Sequence, residues 1–235
     1  MNVHSAIQQS CNVFFYEVGQ RVGVDKISYY SHLLGLGKKT GIELPSEEGG
    51  IIPSSAWKMQ RFHQPWYKGE SLNTAIGQGY VEVTPLQLAV LASRLATGRS
   101  IQPRIMIENN QYERSFDFIK GIAPVVLDIV RGGMIAVVNE AGGTGIRSRI
   151  DIPAYAMAGK TGSAQVRGID KNLYGKRSKA LEAKETHSIF IGFAPIFKPK
   201  FAVGVVVENG GAGSMTAAPI ASQILLYAQQ KYQGK

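Results

Sequence analysis

A single cysteine, Cys11, in 235 residues leaves no pair for an internal disulfide and no thiolate set for a structural metal site. The histidines, His4, His32, His63 and His187, show no paired ligand spacing, so no metal site is expected. Long apolar runs are missing as well. No segment approaches the roughly 20 consecutive apolar residues that cross a bilayer. Residues 1–9 have neither a basic head nor an apolar stretch, so any targeting signal or anchor is expected outside this sequence. There is no internal repeat and no linker-like stretch, and 44% hydrophobic residues suffice for the core of one ordinary domain.

Acidic residues are the scarcer charge, 17 against 26 Lys and Arg, which leaves a net charge of +9. Clustered basic residues would release counterions from phosphate. The densest stretch, Lys171 to Lys184 with Lys176, Arg177 and Lys179, also carries Glu182 and lacks the interleaved aromatics of a base-stacking surface. It reads as a solvated loop, with attraction to an anionic polymer or membrane surface as the alternative, and no nucleic-acid partner is expected.

Helical spacing over residues 12–22 with Gly23 as a stop predicts one helix, and Asp25 as N-cap predicts a second, ending at Gly35 or Gly37. Residues 38–73 lose periodicity and gather glycine and proline, which predicts a long irregular excursion. Thr84-Pro85 should open a helix running to Gly98, and Pro124 another through Asn139, broken by Gly142-Gly143-Thr144-Gly145. Strand patterns follow at 155–166, 188–194 and 201–208, and an amphipathic helix at 217–232. The expected fold class is α/β in the α+β sense: a helical region, then an antiparallel sheet with a C-terminal helix.

Two short motifs carry chemistry. Ser10-Cys11-Asn12 stands at the start of a predicted helix, and Lys160-Thr161-Gly162-Ser163 lies within a predicted strand. Alone, the first is a good helix N-terminus and the second a common strand edge. In this order they match the second and third members of the signature S-x-x-K, S-x-N and K-T-G. The flanks WYKGESLNTAIGQGYVEVTPLQLA (66–89), AGKTGSAQV (158–166), HSIFIGFAP (187–195) and FAVGVVVENGG (201–211) resemble the class B penicillin-binding proteins. KMQRFHQPWYKGES (58–71) is most similar to the rod-elongation type, the penicillin-binding protein 2-like group.

The resemblance implies a transpeptidase and β-lactamase-like fold, incomplete here. It implies cross-linking of peptidoglycan by acyl transfer from D-alanyl-D-alanine stem peptides, with β-lactams as covalent inhibitors and no cofactor. It makes Ser10, Asn12 and Lys160 catalytic, with Ser10 relaying a proton and Asn12 using both halves of its amide. Lys160 would add a fixed positive charge. Thr161 and Ser163 would offer hydroxyls to the substrate carboxylate, and Gly162 would leave room for the substrate backbone. The Ser163 N–H would form half of the oxyanion hole. Elongation-complex proteins are the implied partners, at the periplasmic, extracytoplasmic face of the inner membrane.

The signature's acylated serine is missing. The one literal Ser-x-x-Lys, Ser55-Ala56-Trp57-Lys58, follows the second motif and falls in the irregular excursion, so it reads as a decoy. Residues 1–235 are therefore expected to be the C-terminal portion of one transpeptidase domain, without the nucleophile helix and the first strands, and inactive alone. Two alternatives stay open: half of a split transpeptidase completed by the missing N-terminal half, and a non-catalytic module binding cell-wall peptides or proteins. A β-lactamase is disfavoured, because nothing marks a base for a hydrolytic water.

Overall fold

A computed structural model describes residues 1–106, 116–165 and 186–232. The basic stretch 171–184 lies outside the described residues, as does Val166 at the end of the first predicted strand. The chain divides into two compact units, Cys11–Ile129 with Met1, and Asn2–Ser10 with Val130–Lys235.

The first unit is helical. Helix α2 (Asn12–Val22) ends at Gly23 and packs on α5 (Lys68–Ala75). Gly19 of α2 has no room for a side chain, because the Ala75 methyl lies against it and the Ser71 carbonyl is 3.1 Å from where a Cβ would stand. Helix α3 (Val24–Leu33) begins two residues earlier than an Asp25 N-cap implies, and its N-cap is Gly23. The Asp25 carboxylate instead accepts hydrogen bonds from the Ser55 backbone N–H at 2.9 Å and the Ser55 hydroxyl at 2.7 and 2.8 Å.

The excursion at 38–73 is not wholly irregular. It contains α4 (Ser55–Phe62) and the start of α5, both short and rich in polar residues, so neither shows a long apolar stripe. Its open part, 38–50, is pinned by Gln87, which is fully buried and donates to the carbonyls of Lys38 at 2.8 Å and Gly49 at 2.7 Å. Gln87 also closes the capping box with Thr84 that opens α6 (Pro85–Thr97), and Gly98 ends that helix in the left-handed region.

The boundary between the units falls within α7 (Pro124–Asn139). In the second unit, α1 (Val3–Gln9), which the sequence pattern did not predict, is opened by an Asn2–Ser5 capping box. Gly133 of α7 gives it space: a Cβ there would stand 2.8 Å from the Cβ of Ile7.

The sheet is antiparallel, in the order β1 (Ala158–Gln165), β2 (Thr186–Ala194), β3 (Phe201–Val207). The first strand starts later than its pattern suggests, because Pro153–Tyr155 forms a 3-10 turn. The buried Phe190 ring lies across β1 and β2, where a side chain at Gly159 or Gly192 would strike it. Helix α8 (Ala217–Lys231) packs on β2 and β3 through Ala217, Ala218, Ala221 and Leu225. Helices with an antiparallel sheet and a C-terminal helix are the α+β architecture the sequence implied.

Candidate active site

Ser10 does not open a helix. It closes α1, in the left-handed conformation at φ 55° and ψ 46°, with its N–H directed back to the carbonyls of Ala6 and Ile7. A residue with a Cβ is strained there, so the corner is over-determined by its surroundings. Cys11 then caps α2 without a side-chain hydrogen bond, and Asn12 is the exposed first residue of that helix. The Asn12 amide makes no hydrogen bond among the described residues.

The corner brings Ser10 to the strand motif within the second unit. Lys160 Nζ donates to Ser10 Oγ at 2.7 Å and to the Thr161 carbonyl at 2.7 Å. Burial strips water from the ammonium and pushes its pKa down to about 8, from an ordinary 10.5. The charge expected to be fixed is therefore carried by a group that titrates at about pH 8. A lysine so tuned can give and take a proton in one catalytic cycle.

This shift is also a stability statement. Below pH 8 the folded and unfolded chains both carry the proton, and the folded chain bears the full cost of burying it. Between pH 8 and 10.5 the folded chain has released a proton that the unfolded chain still holds, so stability rises with pH across that window. Lys160→Met removes the titration. Its stability advantage over the parent should shrink by about 3 kcal/mol from pH 7.5 to pH 10.5, read by urea unfolding. A gap that does not change with pH would contradict the depressed pKa.

Thr161 and Ser163 follow on the same strand. Thr161 Oγ1 lies 2.8 Å from Thr144 Oγ1, and Ser163 Oγ accepts from the Gly213 N–H at 3.3 Å. Gly162 pairs with Ile189, and a Cβ on it would meet that side chain at 3.4 Å, an ordinary contact. Packing within this chain therefore does not demand glycine at 162. Glycine is demanded at 213, where the segment after β3 crosses so close to Gly162 and Ile189 that a Cβ would strike their carbonyl oxygens. That segment is tied down by the buried Ser188, which donates to the Ala212 carbonyl at 3.1 Å and accepts from the Ala217 N–H at 3.0 Å.

Sequence reasoning passed over Thr144, Ser188 and Gly213. Thr144 had a signal: one threonine kept among three glycines, in a stretch read only as a helix breaker. Ser188 and Gly213 had none, since each matters through a chain crossing that no local pattern records.

The literal Ser-x-x-Lys occupies the first turn of a helix, which corrects the reason given for setting it aside. Its two side chains are nonetheless committed elsewhere, Ser55 to Asp25 and Lys58 Nζ to the Glu70 carboxylate, one oxygen of which is 2.6 Å away. Among the described residues no cluster of His, Cys, Asp or Glu could hold a metal ion.

Residues 1–226 match the family described as "Penicillin binding protein transpeptidase domain". The chain is 34% identical over 244 residues to the peptidoglycan D,D-transpeptidase MrdA of Acinetobacter baumannii, covering 97% of this chain and 34% of that protein. It is 35% identical over 234 residues to MrdA of Haemophilus influenzae, covering 96% and 36% respectively. The chain thus spans about a third of the length of the curated relatives it matches. Among solved structures, Pseudomonas aeruginosa PBP2 in complex with WCK 5153 superposes with a TM-score of 0.83 at 34% identity, covering 100% of this chain and 50% of that one. The complex between PBP2 and MreC from Helicobacter pylori matches with a TM-score of 0.83 at 31% identity, covering 99% of this chain and 40% of that one. The chain therefore belongs to the transpeptidase-domain family of the penicillin-binding proteins, among those of the PBP2 and MrdA type.

Proposed function

We propose that residues 1–235 form the C-terminal portion of a peptidoglycan D,D-transpeptidase domain, supplying its Ser-x-Asn and Lys-Thr-Gly motifs. The observation that carries this is the 2.7 Å hydrogen bond from Lys160 Nζ to Ser10 Oγ, which joins the two motifs across 150 residues of sequence. The acylated serine comes from sequence outside these 235 residues. Within them the sole Ser-x-x-Lys has its hydroxyl and its amine engaged by separate carboxylates.

In this reading the nucleophilic serine, once deprotonated, attacks the penultimate D-alanine carbonyl of a stem peptide. As the C–N bond breaks, Ser10 passes its hydroxyl proton to the leaving D-alanine nitrogen and takes one from Lys160. In the second half-reaction the acceptor amine attacks the acyl-enzyme, and its surplus proton returns through Ser10 to Lys160. Thr161 and Ser163 serve the terminal carboxylate of the donor peptide, the Ser163 N–H helps to bind the oxyanion, and Asn12 holds the nucleophile's lysine. A β-lactam enters as a mimic of the donor peptide. The Helicobacter pylori relative is described in complex with MreC, and another relative as part of a peptidoglycan synthase complex. They support elongation-complex partners for the whole protein, working at the periplasmic face of the inner membrane. Among the described residues no helix is long and apolar enough to cross a membrane.

The chain by itself should not react with penicillin. Incubation with excess benzylpenicillin, read by intact mass, should leave the mass unchanged. A covalent adduct would place the nucleophile within these residues and overturn the proposal.

A further inference from the structure

The contact between Ser10 and Lys160 joins the end of a helix to the middle of a strand, and neither element alone fixes their separation. A third segment touches both. After α7, Gly143 folds back over the helix end so closely that a Cβ would strike the carbonyl oxygens of Ala136 and Val137. The Gly145 N–H donates to the Val137 carbonyl at 2.9 Å, and the Gly143 N–H to the Glu140 carbonyl at 3.0 Å. Between these two anchors stands Thr144. Its backbone N–H donates to the carbonyl of Gln8, two residues before Ser10, at 3.2 Å, and its hydroxyl lies 2.8 Å from the hydroxyl of Thr161, next to Lys160. The Gln8 side chain doubles the link on the helix side, donating to the Ala141 carbonyl at 3.1 Å.

We propose that Thr144 is a positioning residue, a strut whose backbone holds α1 and whose hydroxyl holds β1, so that Ser10 Oγ and Lys160 Nζ stay within hydrogen-bond distance. The proposal rests on the relay assigned to that pair. One residue sets both attachments, so α1 and β1 cannot move apart without breaking the hydroxyl pair, the Gln8 bond or the glycine anchors. Loss of the hydroxyl frees the strand side alone. Water then reaches the Lys160 ammonium, and the hydration it gains outweighs the loss of the Ser10 acceptor.

The test follows the ε-carbon resonance of Lys160 with pH in the isotopically labelled 235-residue chain, the signal being assigned by its loss in Lys160→Arg. The parent should titrate near pH 8. Thr144→Val should raise the midpoint by about one unit or more, with the melting curve still cooperative, and Thr144→Ser should restore it. A merely structural threonine would lower the melting temperature without moving the midpoint. Thr161→Val, which removes the other half of the hydroxyl pair, should show the same rise and serves if Thr144→Val does not fold. An unchanged midpoint in a folded valine variant overturns the strut while leaving the relay intact. A parent midpoint at the ordinary lysine value overturns the relay, and the strut with it.

Discussion

Glu70→Gln should destabilise the chain by about 3–5 kcal/mol, the range for a buried ion pair that loses one partner. Lys58 is the reason. Its side chain is 2% exposed, whereas that of Glu70 is 25% exposed, so the substitution leaves the cation with its charge buried and unpaired. Glutamine keeps an oxygen for the Tyr67 N–H, which the Glu70 carboxylate now accepts at 2.8 Å, so the loss isolates the charge rather than the helix cap. The Tyr67 ring, 4.4 Å from Lys58 Nζ, softens the effect but cannot replace a carboxylate. Replacing both partners, Lys58→Met with Glu70→Leu, should recover most of the stability, because the desolvation cost then disappears with the charges.

The same pair gives an acid limit. Burial pushes the Glu70 pKa up, but the hydrogen bond from Lys58, the Tyr67 N–H and the Lys58 charge outweigh it and hold the carboxyl below its ordinary 4.5. A depressed carboxyl contributes stability above its unfolded pKa and loses it as pH falls through the folded value. Urea unfolding should therefore show the difference between parent and Glu70→Gln at pH 7 and lose it under acid. A difference under about 1 kcal/mol at pH 7 would mean that water solvates Lys58 in the variant.

The second large effect lies in the chemistry. In a transpeptidase reconstituted by adding a segment that bears a Ser-x-x-Lys helix, Lys160→Met should slow acylation by a penicillin about 10²–10⁴-fold, the usual span for losing a general acid. Ser10→Ala should fall in the same range, since in the proposed relay the proton crosses both groups. The double variant should be little worse than either single one, because residues acting as one relay are not additive. Stopped-flow acylation of the variants reads this directly. Independent losses that multiply in the double variant would separate the two residues and remove the relay.

Much of this molecule is written locally in its sequence. Thr84-Pro85 and Gly98 mark both ends of α6, and Gly23 the end of α2, because caps act within a few residues of where they stand. The valine-rich run of β3 and the alternation of β1 declare strands for the same reason. What stayed hidden depends on distant partners. Helix α4 is short and polar, held by Asp25 beneath Ser55 and by Glu70 beneath Lys58, and no apolar period announces it. Helix α1 is seven residues long and rests on a glycine of α7 more than a hundred residues away.

The candidate site divides along the same line. Ser10 and Lys160 were legible because their motifs are compact and ordered along the chain. The left-handed conformation that aims Ser10 at Lys160 was not, since serine carries no mark of positive φ as glycine would. The lowered pKa of Lys160 was hidden too, because burial is a property of the assembled strand and not of the tripeptide. The resemblance assigned a positive charge to Lys160, and burial brings the pKa of that group down to about 8.

The most direct test is to mix this chain with a separately produced segment bearing the Ser-x-x-Lys helix, add benzylpenicillin, and weigh both polypeptides. One penicilloyl group on the added segment, none on this chain, and loss of labelling with Lys160→Met is the expected result. Labelling that is untouched by Lys160→Met, or found on residues 1–235, would contradict the account.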